Sequence, residues 1–235
     1  LGDVEDHRVG LGRISPLGTD YVRDHDDRID RSAYSIREQV LITGAGDPLL
    51  PHLTQHFSTA RSVDIAVAFT LRGGLDLMQA HMQEFLDRGG SLRFLTGDYL
   101  DATDPDALLR LMDLHGNVVC RVYETGSASS PDAFGGSFHP KASIFKNRNG
   151  TSVAIIGSSN LSRSALTTGV EWNYKVLEAR DEVGLGDIRA AFERLFTSAS
   201  TCSLTASWID GYRHRRRVDR LKAGPEVPAA EDLPV

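Results

Sequence analysis

The chain of 235 residues predicts an α/β fold, a mixed sheet flanked by helices, and three observations carry that expectation. Short β-branched runs alternate with amphipathic helical spacings through residues 63–123, the pattern of strand–helix–strand crossovers. After residue 137 the rhythm changes to two strands joined by Asn147-Arg148-Asn149-Gly150, and Asn-Gly is a hairpin signal. The composition is 40% hydrophobic and 25% charged, which excludes collagen, coiled coil and wholesale disorder.

The elements follow in order. Residues 32–50 read as a helix giving way to a loop at Gly44-Ala45-Gly46-Asp47-Pro48. Val63-Asp64-Ile65-Ala66-Val67-Ala68-Phe69 reads as a buried strand. Leu75, Met78, His81, Met82, Phe85 and Leu86 then recur at helical spacing until Gly89-Gly90 ends the helix. Residues 92–96 form the next strand. Asp104-Pro105 opens a helix over 106–115, with Pro where a helix start tolerates it, and 118–123 is a third strand. Residues 125–137 are a Ser-, Gly- and Ala-rich loop, a surface loop or a gate on substrate entry. Strands are expected at 138–146, 152–157 and 171–177, with a short helix at 161–166 and a longer one at 187–196.

The net charge of −6 argues against a nucleic-acid partner only as an average. Residues 1–31 read as an acidic arm and 224–235 as a Pro- and Ala-rich acidic linker or tail. Between them lie a body at 32–205 and a helical extension at 206–223. Within its residues 211–222, Arg213, Arg215, Arg216, Arg217, Arg220 and Lys222 stand against one Asp219. This segment is either a solvated helix face or a grip on phosphate oxygens. Cys120 and Cys202 stand far apart without a CxxC, which points to a reducing, cytoplasmic setting. No apolar run approaches the roughly 18–20 residues of a membrane helix. The first residues lack the features of a signal peptide, and the absence of an initial Met reads as an excised or processed piece.

The chemistry concentrates in Phe138-His139-Pro140-Lys141, Gly157-Ser158-Ser159-Asn160 and Glu171. Side chains at i and i+2 of one strand share a face, so His139 and Lys141 are expected to project together. The hairpin brings Asn160 alongside, where a strand gives way to a helix start whose amides favour an anion. Imidazole, ammonium, carboxamide and the Ser158 hydroxyl, with Glu171 on the next strand, suit a phosphoryl group. The chain has 22 Arg but four Lys, so a Lys in this set stands out as a chosen point charge. Ser159, Arg72, Arg163, Arg215 and Arg216 are the candidate substrate contacts.

His139-Pro140-Lys141 followed by Gly157-Ser158-Ser159-Asn160 resembles the HxK/GSxN signature of the phospholipase D superfamily. Over roughly residues 60–200, through Thr96-Gly97-Asp98-Tyr99 and Glu171-Trp172-Asn173-Tyr174, the chain is similar to phospholipase D-like nuclease domains that precede DEAD/DEAH-type helicase modules in bacteria. Where the full pattern carries Asp, this chain has Lys146. The resemblance implies a metal-independent endonuclease with no cofactor, acting on DNA or else RNA, with His139 as nucleophile and Glu171 orienting the histidine. The reaction needs two histidines, and His139 alone among eight sits in an HxK context. A homodimer joined through the active-site face is therefore expected. The setting implied is a helicase, fused or associated, or a restriction or defence protein. Two rivals stand beside this reading: a silent nucleic-acid-binding or dimerisation module, and a phospholipase.

Other features have plainer readings. His52 and His56, spaced i, i+4, lack a third metal ligand and read as surface histidines, while His81 and His115 read as packing residues. Trp172 and Tyr174 read as core, with base stacking the alternative. Gly44-Ala45-Gly46 lacks the Lys and Ser/Thr of a P-loop.

Overall fold

The computed structural model describes residues 40–125 and 137–223, with backbone alone beyond 217. The acidic arm, most of the Ser/Gly loop, the tail and the side chains of Arg220 and Lys222 lie outside the described residues. Strands β1 (Leu41–Gly44), β2 (Ala60–Val67), β3 (Ser91–Gly97), β4 (Asn117–Tyr123), β5 (Lys141–Asn147), β6 (Ser152–Gly157), β7 (Val170–Leu177) and β8 (Thr201–Ser203) form one sheet. Its order is β1-β7-β6-β5-β2-β3-β4-β8. The β2–β3 and β3–β4 pairs are parallel and the others antiparallel, so the sheet is mixed as expected.

Helices cover both faces because alternate strand residues are apolar on each. On one face Val63, Ile65, Leu92, Phe94, Phe145 and Ile155 pack under α1 (Leu49–Thr59), α2 (Arg72–Asp87), α3 (Pro105–Met112), α4 (Arg163–Thr167) and α6 (Ala206–Ala223). On the other, Ala66, Leu95, Ile144, Ala154 and Val176 meet Leu185, Phe192 and Phe196 of α5 (Glu182–Phe196). Asp64 and Arg93 sit mid-strand on the α5 side and pair with each other. Arg93 forks onto Asp64, its register partner, with two contacts of 2.7 Å, reaches Glu193 at 2.7 Å and lies over the Phe192 and Phe196 rings.

Several local expectations are corrected. Residues 41–44 are a strand rather than helix, since Leu41 and Ile42 pair with Tyr174 and Asn173 on β7. Helix α1 follows, and His52 and His56 are buried on its apolar face with Leu49, Leu53 and Phe57 rather than lying on the surface. A histidine read as polar breaks the helical period that a buried one completes. His81 and His115 are conversely exposed. β5 starts at Lys141, not 138, because Pro140 has no N–H to give the ladder. α5 starts five residues early, where Asp181 caps the Gly184 N–H at 2.8 Å and overrides the poor helix propensity of Gly184 and Gly186. β8 has three residues, too few for a periodic signal.

Candidate active site at one end of the sheet

Antiparallel pairing of β5 with β2 sets Lys141 opposite Val67. The ends of β2, β3 and β6 and the starts of β5 and β7 therefore share one end of the sheet. Two glycines close it. An added Cβ on Gly157 would stand 2.2 Å from the Trp172 carbonyl oxygen, so only glycine lets β6 finish there against β7. An added Cβ on Gly97 would stand 2.5 Å from the Phe138 ring. That ring is buried and stacks on Tyr123 at 4.9 Å, anchoring the segment that carries His139.

His139 lies just ahead of β5, so the shared strand face does not apply to it, yet Lys141 reaches it. The Lys141 Nζ donates to the imidazole, 2.8 Å from Nδ1 and 3.2 Å from Nε2, and stands 3.2 Å from the His139 carbonyl oxygen. The imidazole is exposed at one edge and meets two aromatic rings edge-on, Phe69 at 5.6 Å and Tyr99 at 6.4 Å. This partial burial, then the Lys141 charge, hold the His139 pKa below its ordinary value. Burial also lowers the Lys141 pKa, against the pull of Glu171. The arrangement favours a neutral imidazole with a lone pair beside a cation, the state a nitrogen nucleophile requires.

The Gly157–Asn160 turn is stitched to two neighbours. Asn160 accepts the Phe69 N–H at 3.1 Å, and the Leu161 N–H reaches the Phe69 carbonyl at 3.2 Å. Ser159 is buried, its hydroxyl accepting from Asn173 at 2.8 Å, and so holds the turn from within. Ser158 donates its hydroxyl to buried Glu171 and accepts the Trp172 N–H at 3.1 Å. Glu171 thus bonds Ser158 and acts on Lys141 through charge; no hydrogen bond joins it to His139, contrary to the orienting role expected. At the following helix start, where amides were expected to favour an anion, one is already taken. α4 has five residues, and the Ser162 hydroxyl takes the Ala165 N–H.

Arg72 and Arg163 open α2 and α4 at this same end and are exposed, Arg72 standing 3.9 Å from Asp76. Gly74 lets α2 close in, since an added Cβ there would lie 2.3 Å from the Leu161 carbonyl oxygen. Arg215 pairs with Asp98 at 3.1 Å, and the Nε of Arg216 is buried without a hydrogen-bond partner. Trp172 and Tyr174 are not core: they are 68% and 51% exposed on β7, beside exposed Val170 and Leu41. The sequence reading missed Phe69 and Asp98 to Tyr99 as site residues. Their signal was positional, each standing just past the end of a parallel strand, where ligands of open α/β sheets gather. Among the described residues no three His, Cys, Asp or Glu side chains converge as a metal site requires, and no helix is long and apolar enough to cross a membrane.

No family model and no curated protein matches the chain. Among solved structures it is similar to NucT from Helicobacter pylori, at 17% identity and a TM-score of 0.48 over 64% of this chain and 88% of that one. It is similar to Nuc from Salmonella typhimurium, a phospholipase D family member, at 13% identity and a TM-score of 0.46 over 64% and 87%. A phosphatidylserine synthase from Haemophilus influenzae matches at 14% identity and a TM-score of 0.48, over 78% of this chain and 45% of that one.

Proposed function

We propose that the chain is a phosphodiester hydrolase that cleaves DNA through a covalent phosphohistidine. One observation carries the reading: a partly exposed imidazole with a lysine ammonium 2.8 Å away, its pKa lowered by burial and then by that charge, at the end of a sheet where Asn160 and Glu171 also gather. His139 attacks the phosphorus, a P–N bond forms and the P–O bond to the leaving strand breaks. Lys141 stabilises the charge that builds on the phosphoryl oxygens. The departing oxygen needs a proton, and the His139 of a second copy, which enters the cycle as the imidazolium, supplies it, then recovers one from the water that hydrolyses the P–N bond. The exposed Trp172, Tyr174 and Val170 beside the site give such a copy apolar surface to cover. Arg72 and Arg163 at the rim suit the flanking phosphates. The scheme routes no step through a metal. A helicase partner and a restriction or defence role rest on the sequence resemblance.

A phospholipid reading has one observation of its own. A groove of about 220 Å³ beside Lys141, lined by Pro140, Ala142, Ile156 and the α5 residues Ile188 and Phe192, is mostly apolar and would take an apolar substituent. The test incubates the protein in EDTA with plasmid, single-stranded DNA and phosphatidylcholine vesicles, beside the His139→Ala variant. DNA cleavage by the wild type alone, from a particle of about twice 25.7 kDa, is the expected result. Choline release, or DNA cleavage by the variant, would replace the reading.

A further inference from the structure

Arg215 was expected to grip substrate phosphate, but it is already engaged. Its Nη2 donates to Asp98 Oδ2 at 3.1 Å, and Asp98 is buried at the end of β3. The other Asp98 oxygen accepts the Thr125 N–H and hydroxyl at 2.7 and 2.9 Å. The guanidinium lies over the rings of Trp208 and Tyr212, at 5.8 and 5.6 Å, which stack on each other at 5.1 Å. Both rings are tethered in turn, Trp208 Nε1 to Glu124 at 2.8 Å and the Tyr212 hydroxyl to the Thr103 carbonyl at 2.9 Å. A flat cation stacked on two rings is a role for guanidinium that an ammonium fills poorly.

The residue after Asp98 is Tyr99, and the turn it opens is strained. Leu100 and Asp101 both take the left-handed region, at φ 57° and 51°, and neither is glycine. Such a turn persists only where its surroundings hold it. It presents the Tyr99 ring to Phe69, nearly parallel at 6.5 Å, and to the imidazole of His139. Contacts thus run unbroken from α6 through Asp98 and Tyr99 to the candidate nucleophile.

We propose that Arg215 is a positioning residue for His139: its ion pair with Asp98 fixes the turn that sets Tyr99 against the imidazole. The groups facing that imidazole are Lys141, with Glu171 behind it, the Phe69 ring, and Tyr99 backed by Asp98 and Arg215. Losing the latch frees Tyr99, admits water to the ring and loosens its aim, while Lys141 stays in place.

The inference rests on His139 being the nucleophile, but its first test needs no substrate. The His139 ring is titrated by NMR in the full chain for wild type and for Arg215→Ala, Asp98→Asn, Tyr99→Ala and Arg213→Ala, with melting curves confirming that each is folded. Arg213 of α6 bonds Asp106 of α3 rather than Asp98, and serves as the control. The first three substitutions are expected to move the His139 midpoint upward together, and Arg213→Ala to leave it in place. In DNA cleavage, Arg215→Ala should lower kcat roughly 10–100-fold with KM within about twofold, the signature of a misaimed reacting group. Arg215→Lys should recover only part of that loss. An unmoved titration in folded Arg215→Ala overturns the inference. So does a raised KM with unchanged kcat, which would return Arg215 to the role of phosphate contact. A moved titration in a protein that cleaves no DNA would leave the latch standing and remove the proposed function instead.

Discussion

Two regions of this molecule hold the same three kinds of side chain. At the sheet end stand His139, Lys141 and Glu171; under β1 stand His52, Lys175 and Asp47. In the second set His52 Nε2 lies 3.0 Å from Asp47, and Lys175 is fully buried, its pKa pushed down to about 8 by burial against the pull of Asp47. Both imidazoles have lowered pKa values, burial being the first cause in each and a lysine charge contributing to both. What separates them is access. His139 opens to solvent past the ends of the strands, whereas His52 is 1% exposed inside the larger core. A reactive trio of residue types therefore says little about chemistry until its route to substrate is known.

Substitutions can break that comparison, and the largest effect is expected in the open cluster. His139→Ala should lower DNA cleavage by about 10³-fold or more while leaving the melting temperature nearly unchanged, since the ring is partly exposed. The sealed cluster should behave in the opposite way. Lys175→Ala leaves Asp47 with less compensation and should cost about 3 kcal/mol of stability in denaturant titration, with turnover of the folded fraction retained. A comparable activity loss in folded Lys175→Ala would show that the two clusters are linked.

Glu171→Gln should produce a smaller, diagnostic change. Glu171 holds the Lys141 pKa up against burial, so removing its charge should shift the alkaline limb of the pH–rate profile to lower pH. An unmoved limb would mean that Lys141 is not the group titrating there. The smallest effect is on stability below neutrality. His52 resists protonation in the folded chain, so below its ordinary value near 6.5 the unfolded chain binds more protons. Stability should fall as pH drops through that window, and His52→Gln should flatten the slope.

The strands at 92–96, 118–123 and 152–157 were legible as short apolar runs, the first and last buried on both faces, and the helix over Leu75–Leu86 by the period of its one buried face. Such patterns failed where tertiary partners override local preference. β1 is a four-residue edge strand defined by β7, and α1 completes its apolar face with two histidines. The site's motif residues were legible because spacing on a hairpin carries them. Phe69 and Tyr99 were not, since loop residues are brought to His139 only by the parallel order of β2 and β3. Nor was the diversion of Arg215 to Asp98, more than a hundred positions earlier in the chain. A charge count cannot tell a paired arginine from a free one.

The central claim is that His139 becomes covalently attached to the phosphoryl group it cleaves. The most direct measurement mixes excess protein with a labelled oligonucleotide in EDTA, quenches under alkaline denaturing conditions, and maps the adduct by mass spectrometry. The account predicts a phosphonucleotide on the peptide carrying His139, labile to acid, absent from His139→Ala and decaying as product accumulates. Cleavage at full rate with no adduct on that peptide, or with an adduct elsewhere, would contradict it.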